Sequence, residues 1–219
     1  MSMKILLSTF GPDPENTLAA MRFLPYQKLV LILSEDSKDT PAFRTIVENE
    51  AKAKSSVETL LIDEYDLKDC FRNISDYIFE ERKKDKKKQN QIIINISGGS
   101  KILGDAALLA AFEMGVPAYH CEKSRVIRLP VLRGVTLRDR LTESQIAVLQ
   151  EMGTMDTIDE IFEKVGKRLT EETIRKALRG LRKLGVIRTI PSEGKITVEL
   201  TDAGILILET IERFEKASE

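Results

Sequence analysis

Short, almost wholly apolar runs alternate with helical patterns over the first 130 residues, and this alternation constrains the fold more than any other feature. The apolar runs occupy residues 4–9, 28–33, 57–63, 91–96, 116–121 and 125–129. Strands that alternate with helices of roughly 12 residues predict βαβ units, and therefore a parallel sheet with helices on both faces. We predict an α/β, Rossmann-like parallel-sheet domain over residues 1–130.

Polar residues just before the helical patterns predict where those helices begin. Asp13 precedes Pro14, either Asp39 or Thr40 precedes the next pattern, and Asp66 precedes the third. Such side chains accept hydrogen bonds from the free N–H groups of a first helical turn. Leu18, Met21 and Leu24 are expected to form the apolar face of the first helix. This spacing assigns those side chains to the interior.

The pattern changes after Pro130, where three helical patterns are followed by a hairpin and a closing helix. Thr142 and Gln145 have the spacing of a capping box at the start of the first of these helices. The residues expected to face inward from the third helix are Ile174, Ala177, Leu178, Leu181 and Leu184. This order predicts a winged helix-turn-helix domain over residues 141–219, joined to the first domain by a linker at residues 131–140.

The first candidate site is the loop at residues 97–101, Ser-Gly-Gly-Ser-Lys. Glycines let the backbone approach a ligand, N–H groups at a helix start attract anions, and Lys101 adds a positive charge. The GxxxxGK[ST] spacing of a Walker A loop is absent, so the pattern does not predict ATP hydrolysis. The loop fits a phosphate site, and it fits equally well a tight strand-to-helix turn in which glycines only ease packing.

The position of this loop favours a ligand. In a sheet ordered 3-2-1-4-5 the first and fourth strands are neighbours, and ligands bind beyond the carboxyl ends where the strand order reverses. Polar residues that end the first strand would therefore lie beside Lys101. The candidate ligand-binding residues are Ser8, Thr9, Phe10, Gly98, Gly99, Ser100 and Lys101.

The second candidate site is a concentration of positive charge around the third helix of the C-terminal domain. Residues 164–188 carry nine Lys or Arg and two Glu, whereas residues 141–219 as a whole carry 12 basic and 15 acidic residues. Such clustering predicts contacts between a recognition helix and DNA phosphates. The alternative is a solvated helix face in a domain that makes only protein contacts. The candidate DNA-binding residues are Lys167, Arg168, Thr173, Arg175, Lys176, Arg179, Arg182, Lys183 and Lys195.

Composition argues against several other classes of protein. The formal net charge is −1, so any binding to nucleic acid has to use a local patch. His120 is the one histidine, and Cys70 and Cys121 form no CxxC pair, so we expect no metal site and no cofactor. His120 is expected to be packed or at a strand edge. Scattered cysteines predict a reduced, cytoplasmic setting, and no apolar run approaches the roughly 20 residues that span a membrane.

Residues 95–101, Asn-Ile-Ser-Gly-Gly-Ser-Lys, resemble the loop of the CARF domain, the CRISPR-associated Rossmann fold. The loop of that family is close to N-[LI]-[ST]-G-G-[ST]-K, which these residues match throughout. Residues 8–11, Ser-Thr-Phe-Gly, are similar to the family's first ligand loop. With its trailing winged helix, the whole chain resembles the Csa3-like CRISPR transcription regulators.

The resemblance implies a homodimer that binds a cyclic oligoadenylate, most often cyclic tetra-adenylate, on its two-fold axis and binds double-stranded DNA. A ring with two-fold symmetry can meet an isologous interface. The expected function is a ligand-responsive CRISPR-associated transcription regulator. One alternative is a ring nuclease that cleaves this ligand through Thr9 and Lys101, with the winged helix used for dimerisation. Another is a regulator with a different nucleotide ligand or none.

Overall fold

The computed structural model describes residues 3–85, 89–131, 138–192 and 195–216. The chain divides into two compact units, Met1–Thr136 and Leu137–Glu219. Residues 132–137 of the predicted linker lie outside the described residues, so its boundaries stay a prediction. None of the described helices is long and apolar enough to cross a membrane.

The first unit is built on a six-stranded sheet with the order β3-β2-β1-β4-β5-β6. Its strands are β1 (Lys4–Thr9), β2 (Lys28–Leu33), β3 (Ser56–Leu61), β4 (Gln91–Asn95), β5 (Ala118–Glu122) and β6 (Arg125–Arg128). The first five strands run parallel, and β6 returns antiparallel to β5. The Rossmann-like sheet and its predicted strand order are therefore confirmed, and the strand expected at residues 125–129 is present as β6. Its antiparallel direction was not predicted.

Five helices of this unit have a described position: α1 (Glu15–Phe23), α2 (Glu35–Lys38), α3 (Pro41–Lys52), α4 (Leu67–Lys84) and α5 (Lys101–Met114). Thr40 caps α3 and Asp66 caps α4, as predicted. Asp13 is not the N-cap of α1, because Pro14 holds that position, and its carboxylate accepts the N–H of Glu15 instead. The short helix α2 carries too few residues to show a helical pattern and was not predicted.

The middle of the sheet is buried and its two edges are exposed. Every residue of β2 and residues 5–9 of β1 are buried, whereas β6 is exposed along its whole length. Continuous apolar runs suit strands that are covered on both faces. The expected apolar face of α1 is partly wrong, because Leu18 is exposed, and Thr17, Ala19 and Ala20 are buried instead. His120 is half-buried in β5, opposite Ile127 of β6.

The second unit contains three helices, a hairpin and a closing helix in the predicted order. Its elements are α6 (Glu143–Glu151), β7 (Met155–Thr157), α7 (Ile158–Val165), α8 (Glu171–Lys183), β8 (Ile187–Ser192), β9 (Lys195–Leu200) and α9 (Asp202–Lys216), after a 3-10 turn at Arg138–Arg140. The strands form an antiparallel sheet ordered β7-β9-β8. The three-residue strand β7 was not predicted from the sequence.

The predicted helix cap and the predicted inward-facing residues of the second unit are confirmed, except for one residue at the end of α8. The capping box of Thr142 and Gln145 is present, and Thr157 forms a second one with Glu160. Ile174, Ala177, Leu178 and Leu181 are buried in the core of this unit. Leu184 was expected inside but is 50% exposed, because it lies at the C-cap of α8, beyond the last helical turn.

Candidate functional site

The loop between β4 and α5 lies where the strand order of the sheet reverses. Strands β1 and β4 are neighbours in the sheet, and Ser8 is paired directly with Asn95. Their connections lead in opposite directions, to β2 on one side and β5 on the other. This is the topological switch point at which sheets of this kind bind ligands.

The first three candidate ligand-binding residues are buried inside the single chain. Ser8, Thr9 and Phe10 have no solvent-exposed surface. The amide of Asn95 donates to Ser8 Oγ at 2.9 Å, and the N–H of Gly98 donates to Thr9 Oγ1 at 2.9 Å. Phe10 packs edge-on against Phe43, with ring centroids 6.1 Å apart. In this conformation Ser8 and Thr9 support the loop from beneath, and none of the three side chains offers a surface to a ligand.

Both glycines of the loop are required by backbone packing. A Cβ atom at Gly98 would collide with the carbonyl oxygen of Thr9. Gly99 has a φ of +71°, in the left-handed region that strongly favours glycine, and its Cβ would lie 2.7 Å from a methyl group of Leu103. The packing interpretation therefore accounts for these two residues without a ligand.

The rest of the loop is open to solvent and can attract an anion. Lys101 and Gly99 are exposed, and Ser100 is half-buried. Among the described residues, none accepts a hydrogen bond from the N–H of Lys101 or Ile102, and none pairs with the Lys101 ammonium group. These N–H groups form the start of a 14-residue helix, which carries partial positive charge. Together they can bind a phosphate or a similar anion.

Glu64 is a site residue that the sequence analysis missed. Its buried carboxylate accepts hydrogen bonds from Ser34 Oγ at 2.8 Å and from the N–H of Ser100 at 3.1 Å. Its carbonyl oxygen accepts from Ser100 Oγ at 3.0 Å. The available signal was a polar residue just beyond the carboxyl end of β3, on the same sheet edge as the loop. Glu64 thus joins three loops at this edge.

Helix α1 also supports the loop, through polar residues to which no role was assigned. The amide of Asn16 donates to the carbonyl of Ser97 at 2.9 Å, and Thr17 Oγ1 donates to the carbonyl of Thr9 at 3.0 Å. Ser97 Oγ accepts the N–H of Cys121 at 2.6 Å. Burial raises the pKa of the Cys121 thiol to about 11, so that thiol is neutral near pH 7 and is a poor nucleophile. The loop is therefore held by hydrogen bonds on several sides.

The acidic residues, the cysteines and Thr9 bear on two other kinds of chemistry, metal binding and ring cleavage. Within the described part of the chain, no three His, Cys, Asp or Glu side chains are placed to hold a metal ion. Thr9, the candidate catalytic hydroxyl of a ring nuclease, donates to the carbonyl of Asn95 at 3.3 Å while accepting from Gly98. Its hydroxyl is thus engaged on both sides in this conformation.

The candidate DNA-binding residues differ in how far they are available. Four exposed residues of α8 make no ion pair with any residue the structure describes: Lys176, Arg179, Arg182 and Lys183. Positions 176, 179 and 183 follow one another at helical spacing and share one face of α8. This face is a continuous, exposed basic surface, which we call the α8 basic face.

The other candidates have partners or lie apart from that face. Arg175 pairs with Glu171 at 2.6 Å, and Arg168 pairs with Glu151 at 2.9 Å. The hydroxyl of Thr173 lies 2.8 Å from that of Thr170. Lys167 and Lys195 are exposed, outside α8. Surface ion pairs are weak, so Arg175 and Arg168 can exchange their partners for phosphates.

The fold and the loop together define a Rossmann-like α/β protein with an appended unit of helices and a hairpin. Residues 9–125, more than half of the chain, match the family model "HFX_2341_N:-like, N-terminal". The chain belongs to this family. No curated protein matches the sequence.

Several solved structures are similar to the chain at low identity. Can2 from Sulfobacillus thermosulfidooxidans, in complex with cyclic tetra-adenylate, is 14% identical over 93% of this chain and 62% of its own, with a TM-score of 0.45. Csm6 from Enterococcus italicus, bound to cyclic hexa-2'-fluoro-hexa-dAMP, is 16% identical over 85% of this chain and 56% of its own, with a TM-score of 0.48.

A third similar structure is BpsR from Bordetella bronchiseptica, whose DNA binding is regulated by 6-hydroxynicotinic acid. It is 18% identical over 37% of this chain and 60% of its own, with a TM-score of 0.33. The chain spans less than two thirds of the length of each of these three proteins. At these identities and TM-scores, none of them bears on what this chain binds.

Proposed function

We propose that this protein is a ligand-responsive, CRISPR-associated transcription regulator. Its Rossmann-like unit is a CARF domain that binds a cyclic oligoadenylate, with cyclic tetra-adenylate as the first candidate, between two copies of the chain. Its second unit is a winged helix that binds double-stranded DNA. The binding of the ligand changes the affinity for DNA.

The observation that carries the proposal is the exposed start of α5 at the switch point. Lys101 meets solvent there, beside two backbone N–H groups to which no described residue offers an acceptor, and the residues beneath them are fixed by hydrogen bonds to β1. A cyclic oligonucleotide presents several phosphates, each of which suits such a helix start. The match of residues 95–101 to the CARF loop supports the same ligand class.

An exposed apolar stripe on α5 supports the homodimer. Ile102, Leu109 and Phe112 are exposed at helical spacing, in the helix that begins with Lys101. Exposed apolar residues that share a helix face favour contact with another protein surface. An isologous contact between two chains through this stripe would bring two copies of the loop between β4 and α5 into one dimer.

The α8 basic face supports DNA binding. Four cations without an ion-pair partner among the described residues lie on the helix that acts as the recognition helix in a winged helix-turn-helix. Their positive charge stands out against the net negative charge of residues 141–219. Contacts of this kind are made mainly with phosphates, which bind without regard to sequence.

Titration calorimetry with cyclic tetra-adenylate tests the ligand. We expect the wild-type protein to bind it, and Lys101→Ala to weaken binding roughly 10- to 100-fold, because a hydrogen bond to a charged group contributes about 1.5–3 kcal/mol. Lys4→Ala is the matched control, since Lys4 is an exposed lysine at the start of β1. No heat with the wild-type protein contradicts the proposal, and multiple-turnover cleavage of the ring would replace it with a ring nuclease.

A further inference from the structure

Tyr65 is an exposed aromatic residue beside the candidate ligand site. It is 73% exposed, more than any other large hydrophobic residue for which an exposed position is described. It lies in the short connection between β3 and α4, beyond the carboxyl end of β3. An exposed tyrosine at the ligand-binding edge of a Rossmann-like sheet is placed where it can contact a ligand.

The backbone around Tyr65 is fixed. The N–H of Tyr65 donates to Asp63 Oδ1 at 3.1 Å, and the N–H of Asp66 donates to the carbonyl of Asp63 at 3.1 Å. Asp66 in turn caps α4. A tyrosine on a fixed backbone loses little conformational freedom when it binds a partner.

The same connection is hydrogen-bonded directly to the loop between β4 and α5 (residues 97–101), called the α5 loop below. Glu64, the residue before Tyr65, contacts Ser100 through both its carboxylate and its carbonyl oxygen, at 3.1 and 3.0 Å. Tyr65 therefore directly follows a residue that is hydrogen-bonded to Ser100, and Ser100 directly precedes Lys101. Its place relative to the loop is set by those two hydrogen bonds.

The charges near Tyr65 indicate which part of a nucleotide it would meet. Asp63 and Asp66, on either side of it, are exposed carboxylates that repel phosphate. A base has no formal charge, its ring stacks on an aromatic side chain, and the amino group of adenine donates to carboxylates. The carboxylate of Glu64 also lies near the start of α5, but it is buried and accepts the N–H of Ser100 and the hydroxyl of Ser34. We therefore assign the phosphate contacts to the exposed start of α5 and the base contacts to the β3–α4 connection.

We propose that Tyr65 is the base-stacking residue of this site and that it holds an adenine of the cyclic oligoadenylate. This assignment rests on the proposed function. The candidate site then includes residues 63–66, after β3, in addition to the residues after β1 and β4. Neither the sequence motifs nor the family match assigned a role to residues 63–66.

Two substitutions test the assignment, because one removes the aromatic ring but keeps an apolar side chain and the other keeps the ring. Base stacking contributes about 1–3 kcal/mol, so Tyr65→Leu is expected to weaken binding of cyclic tetra-adenylate roughly 5- to 140-fold. Tyr65→Phe keeps the ring and is expected to bind within about two-fold of the wild type. Equal affinity for wild type and Tyr65→Leu overturns the assignment but leaves the ligand proposal intact. Absence of binding by the wild type overturns both.

A fluorescent reporter gives an independent measurement. The chain contains no tryptophan, so Tyr65→Trp places a single tryptophan, which can be excited apart from the remaining tyrosines, at the proposed stacking position. We expect cyclic tetra-adenylate to quench its emission by at least about half, as an adenine stacked on the indole would. Phe23→Trp is the control, because Phe23 is a 47% exposed aromatic residue at the end of α1. Similar quenching of both reporters, or of neither at saturating ligand, overturns the assignment.

Discussion

At the scale of single residues, a group of charges around the buried Lys28 stabilises the end of the sheet at which the strands begin. The side chain of Lys28 is only 8% exposed and pairs with Glu58 at 2.9 Å and with Glu81 at 3.1 Å. Tyr77 donates its hydroxyl to Glu58 at 2.6 Å. Burial opposes the ionisation of Glu58, but hydrogen bonds from Tyr77 and Lys28 outweigh it and hold the pKa of that carboxyl below its usual value. These charges lie at the opposite end of the strands from the candidate ligand site, and their role is in stability.

Removing the lysine of this group should destabilise the protein strongly. Among the described residues, Lys28→Met leaves the buried carboxylate of Glu81 with only Lys84 as a partner, and we expect a loss of about 3 kcal/mol in the free energy of unfolding. Urea denaturation followed by circular dichroism measures it. Lys38→Met, at an exposed lysine paired with Glu35 at 3.7 Å, should change stability by less than about 1 kcal/mol. A double variant, Lys28→Met with Glu81→Leu, should recover part of the loss, and a purely additive result would contradict the coupling.

At the scale of helices and strands, the features that depend on residues close together in the sequence were predicted correctly, such as the positions at which helices begin. Capping residues such as Thr40, Asp66 and Thr142 act within one helical turn, so their spacing is visible in the sequence. Leu184 was misplaced because periodicity does not show where a helix ends. The strand order was predictable because βαβ connections follow regular rules.

The support of the candidate site was less predictable than its location. The switch point follows from the strand order, but the contact between Glu64 and Ser100 joins residues that are distant in sequence. It depends on how far a long side chain reaches from the end of β3, which no sequence pattern shows. The burial of Ser8 and Thr9 was also hidden, since hydroxyls at a strand end look the same in sequence whether they face a ligand or an amide.

The DNA-binding role proposed for the α8 basic face can be tested by substitutions within that one helix. Arg179→Ala and Lys176→Ala should each weaken binding to double-stranded DNA and reduce the slope of log K against log salt by about one unit, because each would remove one phosphate contact. Fluorescence anisotropy with a labelled random-sequence duplex at several salt concentrations measures the slope. Lys52→Ala, at an exposed lysine of α3, should leave it unchanged. Equal slopes in all variants would place the DNA surface elsewhere.

At the scale of the whole molecule, the proposed function requires two copies of the chain. Leu109→Lys puts a charge in the exposed stripe of α5 and should convert a dimer into a monomer, because the charge would be buried at the interface. Sedimentation velocity measures the mass of the species. Leu18→Lys, at a similarly exposed leucine of α1, should leave the dimer intact. A monomeric wild-type protein, or a dimeric Leu109→Lys, would rule out this interface.

The hydrogen-bonded hydroxyls in the loop between β4 and α5, and beneath it, have a consequence for how quickly a ligand is captured. Because Thr9, Ser97 and Ser100 already have hydrogen-bond partners within the chain, the loop is preorganised before any ligand arrives. The entropy of ordering it is lost when the sheet folds and not when the ligand binds. Diffusion and charge, without a slow rearrangement of this loop, should then set the association rate, which is expected to fall as ionic strength rises.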